Sequence, residues 1–305
     1  MRAAFSRELV GAALTDERVV LLTGDHGYAL FDDFRKACPR QYINAGVAEQ
    51  NMVGVAAGMA KAGFRPVVYG LSAFVPVRVL EQIKIDVCYE QLPVTFVGDG
   101  AGLVYSTLGS SHQSFEDIAC LRAVPHIDIL SPADAAEMTA AMRFAMSHTG
   151  TVYLRMGKAD IGSLHAATPE LARGHLLQVR EGQSPVAFVA TGSMVKTAMA
   201  LADELDASLW SAPWIKPLER DSLAALAQGR RALVSFEEHS AAAGLGSAVL
   251  EGLAEDGALP LLRIGIGERF STTCGSHAHA LREHGLDLDS VRTRVLPFVA
   301  RWATA

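Results

Sequence analysis

Asparagine is almost absent from this chain. Among its 305 residues only Asn44 and Asn51 occur, both near the start. A diphosphate–Mg²⁺ site built on GDG needs an Asp carboxylate and a downstream Asn oxygen on the same hard cation. GDG stands at 98–100, and no asparagine follows it. There is also no P-loop and no GxGxxG after the first apolar run. The chain is therefore not expected to hold a diphosphate–metal group unaided. Basic runs are missing too, and the net charge is −6. That argues against a nucleic-acid surface. No apolar run approaches 18 residues, so no membrane span is expected. The four cysteines, Cys38, Cys88, Cys120 and Cys274, lie far apart with no CxxC pair. They read as buried thiols of a reduced, cytoplasmic protein. The opening stretch MRAAFSRELVGAAL carries Arg2, Arg7 and Glu8 among its apolar residues. Phe5, Leu9 and Ala13 fall four apart, which predicts an amphipathic helix and not a signal peptide.

Half of the residues are apolar and a fifth are charged, so a packed core forms easily. The length suits one large domain or two ordinary ones. Apolar runs that read as buried strands alternate with helical patterns. RVVLLTGD, QYINAG, FRPVVYG, LPVTFVGDG, HIDIL and TVYLRMGK are the strands of the first unit. This alternation predicts an α/β fold with a mostly parallel, doubly wound sheet. The pattern fails over 161–183, which contains Gly162, Pro169, Gly174 and Gly182 and reads as a linker. A second, smaller unit follows, with strands SPVAFVATG, ASLWSA, ALVSFEE and PLLRIGIG and a last amphipathic helix SVRTRVLPFVARW. The expected domains are 1–160 and 184–305.

One stretch organises the first unit: NAGVAEQNMVGVAAGMAKAG, residues 44–63. It turns at Gly46 and enters a helix with Glu49 in its first turn. On spacing alone, the helix dipole explains an acidic residue there. Gly54 and Gly58 cost the helix roughly 1 kcal/mol each against alanine. Another element or subunit is therefore expected to approach it closely.

This stretch continues as FRPVVYGLSAF, followed by RVLEQIKIDVCYEQLPV and GSSHQSFEDIACLRAVP. Together with YLRMGK, WIKPLERD and EEHSAAAGLGSAV, these motifs resemble the C-terminal part of transketolases. More closely, they resemble the separate small subunit of split transketolases, over essentially the whole chain. The resemblance implies a pyrimidine-binding domain followed by the family's C-terminal domain. It implies thiamine diphosphate and Mg²⁺, with diphosphate and metal held mainly by a larger N-terminal subunit. An α2β2 assembly with a β–β contact and a small-molecule sugar substrate go with it.

Residue by residue, the resemblance makes Glu49 the partner of the aminopyrimidine ring nitrogen. There it drives the ring to its imino form, which removes the thiazolium C2 proton. A carboxyl group out of water can share a proton with a ring nitrogen. Phe74 would lie against the pyrimidine, with an ordinary core phenylalanine as the alternative. Arg78 and Gln82 resemble a pair beside the cofactor, four apart on one face. Asp25 matches an aspartate at the active-site edge, with His26 beside it. His112, in GSSHQ, matches the substrate-facing histidine, able to relay protons or to stabilise an alkoxide. Arg2 and Lys158 stand where the family binds substrate phosphate.

Three positions depart from the family. Gly100 replaces a histidine, Leu108 an aspartate that reads a sugar hydroxyl, and Ala29 a phosphate-binding serine. Losing positioned hydrogen bonds changes discrimination, which predicts a specialised sugar substrate in place of the ordinary pentose phosphates. In the family the edge matching Glu237, Glu238 and His239 supports the dimer and the cleft entrance, but capping and helix packing are the expected role here. Cys274, His277 and His279 lack a fourth ligand and are not expected to bind metal. Two other readings stand beside transketolase: the β subunit of a 2-oxoacid dehydrogenase decarboxylase component, and a non-catalytic regulatory subunit on the same fold.

Overall fold

The computed structural model describes residues 1–157, 161–257 and 259–303. Lys158 lies outside the described residues. Of the cysteines expected to be buried, Cys38 and Cys88 are, whereas Cys120 is half-buried and Cys274 is exposed on the segment between Ile266 and His277. Helix α1 (Arg2–Thr15) buries Phe5, Leu9 and Ala13, as their spacing predicts. The chain then runs through β1 (Val19–Thr23), α2 (Asp32–Ala37), β2 (Tyr42–Asn44), α3 (Glu49–Lys61) and β3 (Arg65–Leu71). A 3₁₀ turn leads into the short α4 (Leu80–Gln82), which continues as a π-helix over Ile83–Cys88. After β4 (Thr95–Asp99) comes the long loop carrying His112, then α5 (Asp117–Arg122), β5 (Ile127–Leu130), α6 (Ala135–Ser147) and β6 (Thr151–Met156). Asp134 caps α6 by accepting the Glu137 N–H at 2.8 Å.

The second part holds β7 (Leu177–Arg180), β8 (Val186–Ala190), α7 (Met194–Leu205), β9 (Leu209–Ser211), β10 (Trp214–Lys216) and α8 (Arg220–Ala227). It ends with β11 (Ala232–Ser240), α9 (Leu245–Gly257), β12 (Leu261–Ile266), α10 (His277–Glu283) and α11 (Leu288–Ala303).

Two mostly parallel sheets result. The first runs β10-β5-β6-β4-β3-β1-β2 and the second β12-β11-β8-β9-β7. Strand β10 is antiparallel to β5 and comes from the second part of the chain. Strand β7 lies within the stretch read as linker and pairs antiparallel with β9. Both strands are short, and pairing with distant partners, not local pattern, makes them strands.

Helices cover both faces of the first sheet. On one face, Phe5, Leu9, Phe34, Met138 and Met142 from α1, α2 and α6 form a core with Leu21, Val67 and Leu154. On the other, Val53 and Ala56 of α3 join Val68, Phe96 and the π-helical Val87. That second core runs on without a break into Val189, Leu223 and Val249 of the second part. Fully burying one such side chain contributes about 1.5–3 kcal/mol. The shared core therefore fixes the two units against each other.

Candidate active site

The site forms where β1, β2, β3 and β4 end, at the carboxyl edge where open α/β sheets bind ligands. The ends of β1 and β2 are tied together there. Asn44 Oδ1 accepts the Asp25 N–H at 3.2 Å and the Gly46 N–H at 2.9 Å. Gly24 lets the two backbones approach, because a Cβ there would stand 2.7 Å from the Gly46 carbonyl oxygen. Gly46 turns the chain with φ +71°.

That turn delivers Glu49 as the first residue of α3, with 4% of its surface exposed. Arg78 Nη1 lies 3.1 Å from Glu49 Oε1. The approach lacks hydrogen-bond geometry, so Glu49 Oε1 is a buried acceptor without a hydrogen-bond partner among the described residues. The Arg78 guanidinium sits over the Phe74 ring, 4.0 Å from its centroid, in a cation–π contact. Phe74 is also 5.4 Å from the His112 ring and 6.2 Å from the His26 ring. Phe74 is half-buried at this junction, not part of the core clusters.

Two further buried polar atoms lack hydrogen-bond partners among the described residues: His26 Nε2 at this junction and Gln82 Oε1 on α4. Burial pushes the His26 imidazole below its usual pKa, against the pull of Glu49 and Asp25. Asp25 is exposed and accepts the Tyr28 hydroxyl at 3.0 Å. Ser111 Oγ lies 3.0 Å from His112 Nδ1 and steadies that imidazole. Glu49, Phe74, Arg78, His26 and His112 are thus brought together, with Asp25 next to His26, while Gln82 stands four residues beyond Arg78 at the end of α4. The orphaned acceptor on Glu49, with Arg78 stacked on the Phe74 face beside it, suits a flat, polar heteroaromatic ring that can bond through its edge. An aminopyrimidine has that character.

Arg2 stands apart from this group. Its Nη2 lies 3.8 Å from Asp99 Oδ2, and Asp99 is 1% exposed. Burial works against the Arg2 charge, and Asp99 with Tyr69 outweighs it, so its pKa is raised. Tyr105 donates its hydroxyl to Asp99 Oδ2 at 3.3 Å. A side chain at Gly100 would run into the Tyr105 ring. Tyr105 therefore fills the space beside Gly100. Leu108 and Ala29 are exposed.

Beneath the His112 loop lies a buried polar network that the sequence did not announce. Asp117 accepts from Arg155 Nε and from the Tyr153 hydroxyl, each at 2.8 Å. Burial alone would raise the Asp117 pKa, but Arg155 brings it below its usual value. Ser72 Oγ donates to Ser114 Oγ at 2.9 Å, and Arg155 Nη2 donates to the Glu238 carbonyl at 2.9 Å. These contacts join residues far apart in the chain, so no local motif marks them.

Glu237 accepts the Leu245 and Gly246 N–H groups at 2.7 and 3.0 Å and so caps α9. His239 is fully buried beside Asp117. His277 and His279 bond elsewhere, to Glu238 Oε1 and to Thr273 Oγ1, each at 2.8 Å.

The glycine face of α3 meets no other described element of this chain, which leaves the subunit of the two expected neighbours. Gly54 and Gly58 are exposed, and nothing among the described residues lies within 4 Å of a Cβ at either. The buried face is the opposite one, Met52, Val53, Ala56, Ala57 and Ala60.

Comparison with known proteins gives a consistent result. Residues 1–162 match the family model described as the transketolase pyrimidine-binding domain, and residues 174–291 the transketolase C-terminal domain. An apulose-4-phosphate transketolase subunit from Phocaeicola vulgatus is 31% identical over 98% of this chain and 97% of its own. A 6-deoxy-6-sulfo-D-fructose transketolase subunit from a Clostridium species is 33% identical over 88% of this chain and 85% of its own. A 1-deoxy-D-xylulose-5-phosphate synthase from Oleidesulfovibrio alaskensis is 35% identical over 96% of this chain, but the chain spans only 47% of that protein. Among solved structures, one described as a split gene transketolase, inactive beta4 tetramer, superposes with a TM-score of 0.86. It shares 31% identity over 99% of this chain and 97% of its own.

Proposed function

The chain belongs to the transketolase family, and from that premise we propose that it is the small subunit of a split, thiamine diphosphate-dependent transketolase. It moves a two-carbon ketol unit from a ketose donor to an aldehyde acceptor. The observation that carries this reading is Glu49, whose buried Oε1 has no hydrogen-bond partner beside the Phe74 ring. A scaffold subunit has no use for such a group. The relatives named as transketolase subunits favour this reading over a 2-oxoacid dehydrogenase component.

When bound, thiamine diphosphate supplies the electron sink for breaking and making a carbon–carbon bond next to a carbonyl. Glu49 would hold the aminopyrimidine edge through its unpartnered oxygen, Phe74 the ring face, and Gln82 an exocyclic donor. Arg78 keeps Glu49 and Phe74 in place. His112, beside Phe74, would hold or move a proton at the substrate hydroxyl. Asp25 and His26 line the edge of the pocket.

Nothing in this chain offers the Asp…Asn pair for diphosphate and Mg²⁺, so a larger N-terminal subunit supplies both. The open Gly54–Gly58 face of α3 gives another chain a close approach. We place the assembly as α2β2 with a β–β contact, in the cytoplasm. No described helix is long and apolar enough to cross a membrane. The substrate is a specialised sugar. Gly100, Leu108 and Ala29 lack the family's polar contacts, and Asp99 already occupies Arg2.

The test is to purify the chain with its larger partner and assay a panel of ketose donors against aldehyde acceptors. Ketol transfer by the mixture, and by neither chain alone, supports the proposal. Decarboxylation of 2-oxoacids with no ketol transfer overturns it.

A further inference from the structure

The loop over 100–113 carries His112, and the second unit bonds to it at three places and comes close at a fourth. Glu238 Oε1 accepts the Leu103 N–H at 2.7 Å. The Ser106 carbonyl accepts the Gly275 N–H at 3.2 Å. A Cβ on Gly109 would stand 3.1 Å from Cys274 Sγ. Ser110 Oγ donates to the Ser271 carbonyl at 3.1 Å. Residues 271–275 thus form a strap along the loop.

Glu238 closes the arrangement. It sits on β11, is 3% exposed, and takes three donors from three parts of the fold. Besides Leu103, these are His277 Nε2 at 2.8 Å and Ser193 Oγ at 2.5 Å. His277 opens α10, just past the strap. One carboxylate therefore grips the near end of the His112 loop and the far end of the strap that covers it. Gly102 is needed there: its φ is +78°, and a Cβ would stand 2.5 Å from Glu238 Oε1. A buried carboxylate is stable only while its partners remain, and charge-assisted bonds are the stronger kind.

We propose that Glu238 and His277 are positioning residues that set the place of the His112 loop, and through it turnover, without touching substrate or cofactor. The inference rests on the ketol-transfer reading for its kinetic arm only. Burial opposes charging His277, and Glu238 outweighs it, so the imidazole pKa is raised. Several neighbouring charged or titratable groups have partners of their own. Arg155 on β6 donates to the Glu238 carbonyl. On α10, His279 bonds Thr273, and Glu283 accepts the Thr272 N–H at 2.6 Å.

The experiment compares wild type, His277→Ala and His277→Gln in two ways. Hydrogen exchange on the chain itself should show Leu103–His112 amides exchanging at least about tenfold faster in His277→Ala, with α1 and α6 unchanged. In the complex with the larger subunit, kcat should fall about 10–100-fold while thiamine diphosphate affinity stays constant. His277→Gln keeps a donor toward Glu238 and should restore most of both. Unchanged loop exchange, or faster exchange with unchanged kcat, overturns the proposal. So does a loss of cofactor affinity matching the loss of kcat. If His277→Ala fails to fold, the exchange and kcat of His277→Gln and of Glu238→Gln decide the matter, and near-wild-type values in Glu238→Gln overturn it. A wild-type complex with no ketol transfer refutes the functional reading instead, and the exchange data still test the loop.

Discussion

Arg78 Nη1 approaches Glu49 Oε1 to 3.1 Å, yet leaves that buried oxygen without a hydrogen bond. The guanidinium is held instead by the Phe74 ring below it, 4.0 Å away. Glu49 is thereby compensated in charge while its hydrogen-bonding capacity stays open. That combination suits an acid that must engage a ring nitrogen, and ordinary helix capping does not require it.

Replacing Glu49 by Gln keeps the shape and removes the acid. Turnover of the complex should fall by about 10²–10⁴-fold. The fold should survive, read by an unchanged thermal midpoint. An active Glu49→Gln complex would remove the cofactor-activating role.

His112 contacts the Phe74 ring edge-on at 5.4 Å. His112→Ala should lower kcat by about 10²-fold or more. Cofactor affinity should stay close to wild type. A variant that loses only cofactor affinity contradicts the substrate role.

Arg155 and Asp117 form a buried pair under the same loop, 2.8 Å apart. Arg155→Met leaves the Asp117 charge stranded and should cost about 3–5 kcal/mol of stability. The change is read from urea denaturation midpoints. A loss within experimental error would mean that the network contributes nothing net.

His239 provides a pH test. Burial pushes its pKa down from 6.5 to about 4. Nδ1–H donates to the Ser240 carbonyl at 2.8 Å and Nε2 accepts the Ala119 N–H at 3.3 Å, a neutral arrangement. The unfolded chain therefore binds a proton between pH 6.5 and about 4 that the folded chain refuses. This contribution is present above pH 6.5 and is lost as pH falls through that window, by up to about 3 kcal/mol. His239→Gln should flatten this part of the stability profile. Equal pH slopes in both proteins would assign the acid sensitivity to other groups.

Much of this was legible in the sequence because it is local. Phe5, Leu9 and Ala13 announce α1 by spacing. Gly46 and Glu49 announce a turn into a helix. The apolar runs at β1, β3, β4 and β6 are buried throughout or nearly so, as their composition predicts. What stayed hidden depends on contacts between distant residues. Trp214–Lys216 is three residues long and becomes a strand because β5 offers an edge. The π-helix after Gln82 has no propensity signal. Glu238 and His277 are 39 positions apart, and only the folded chain puts them 2.8 Å from each other. Arg2 shows the converse: its place in a family pattern was legible, but its engagement by Asp99 was not.

The most direct test is calorimetric titration of thiamine diphosphate with Mg²⁺ into the chain alone, into the larger subunit alone, and into the mixture. Binding by the mixture, with none by this chain alone, is the result this account requires. Tight binding by this chain alone would contradict it, because a diphosphate–metal site would then have to exist without the missing asparagine.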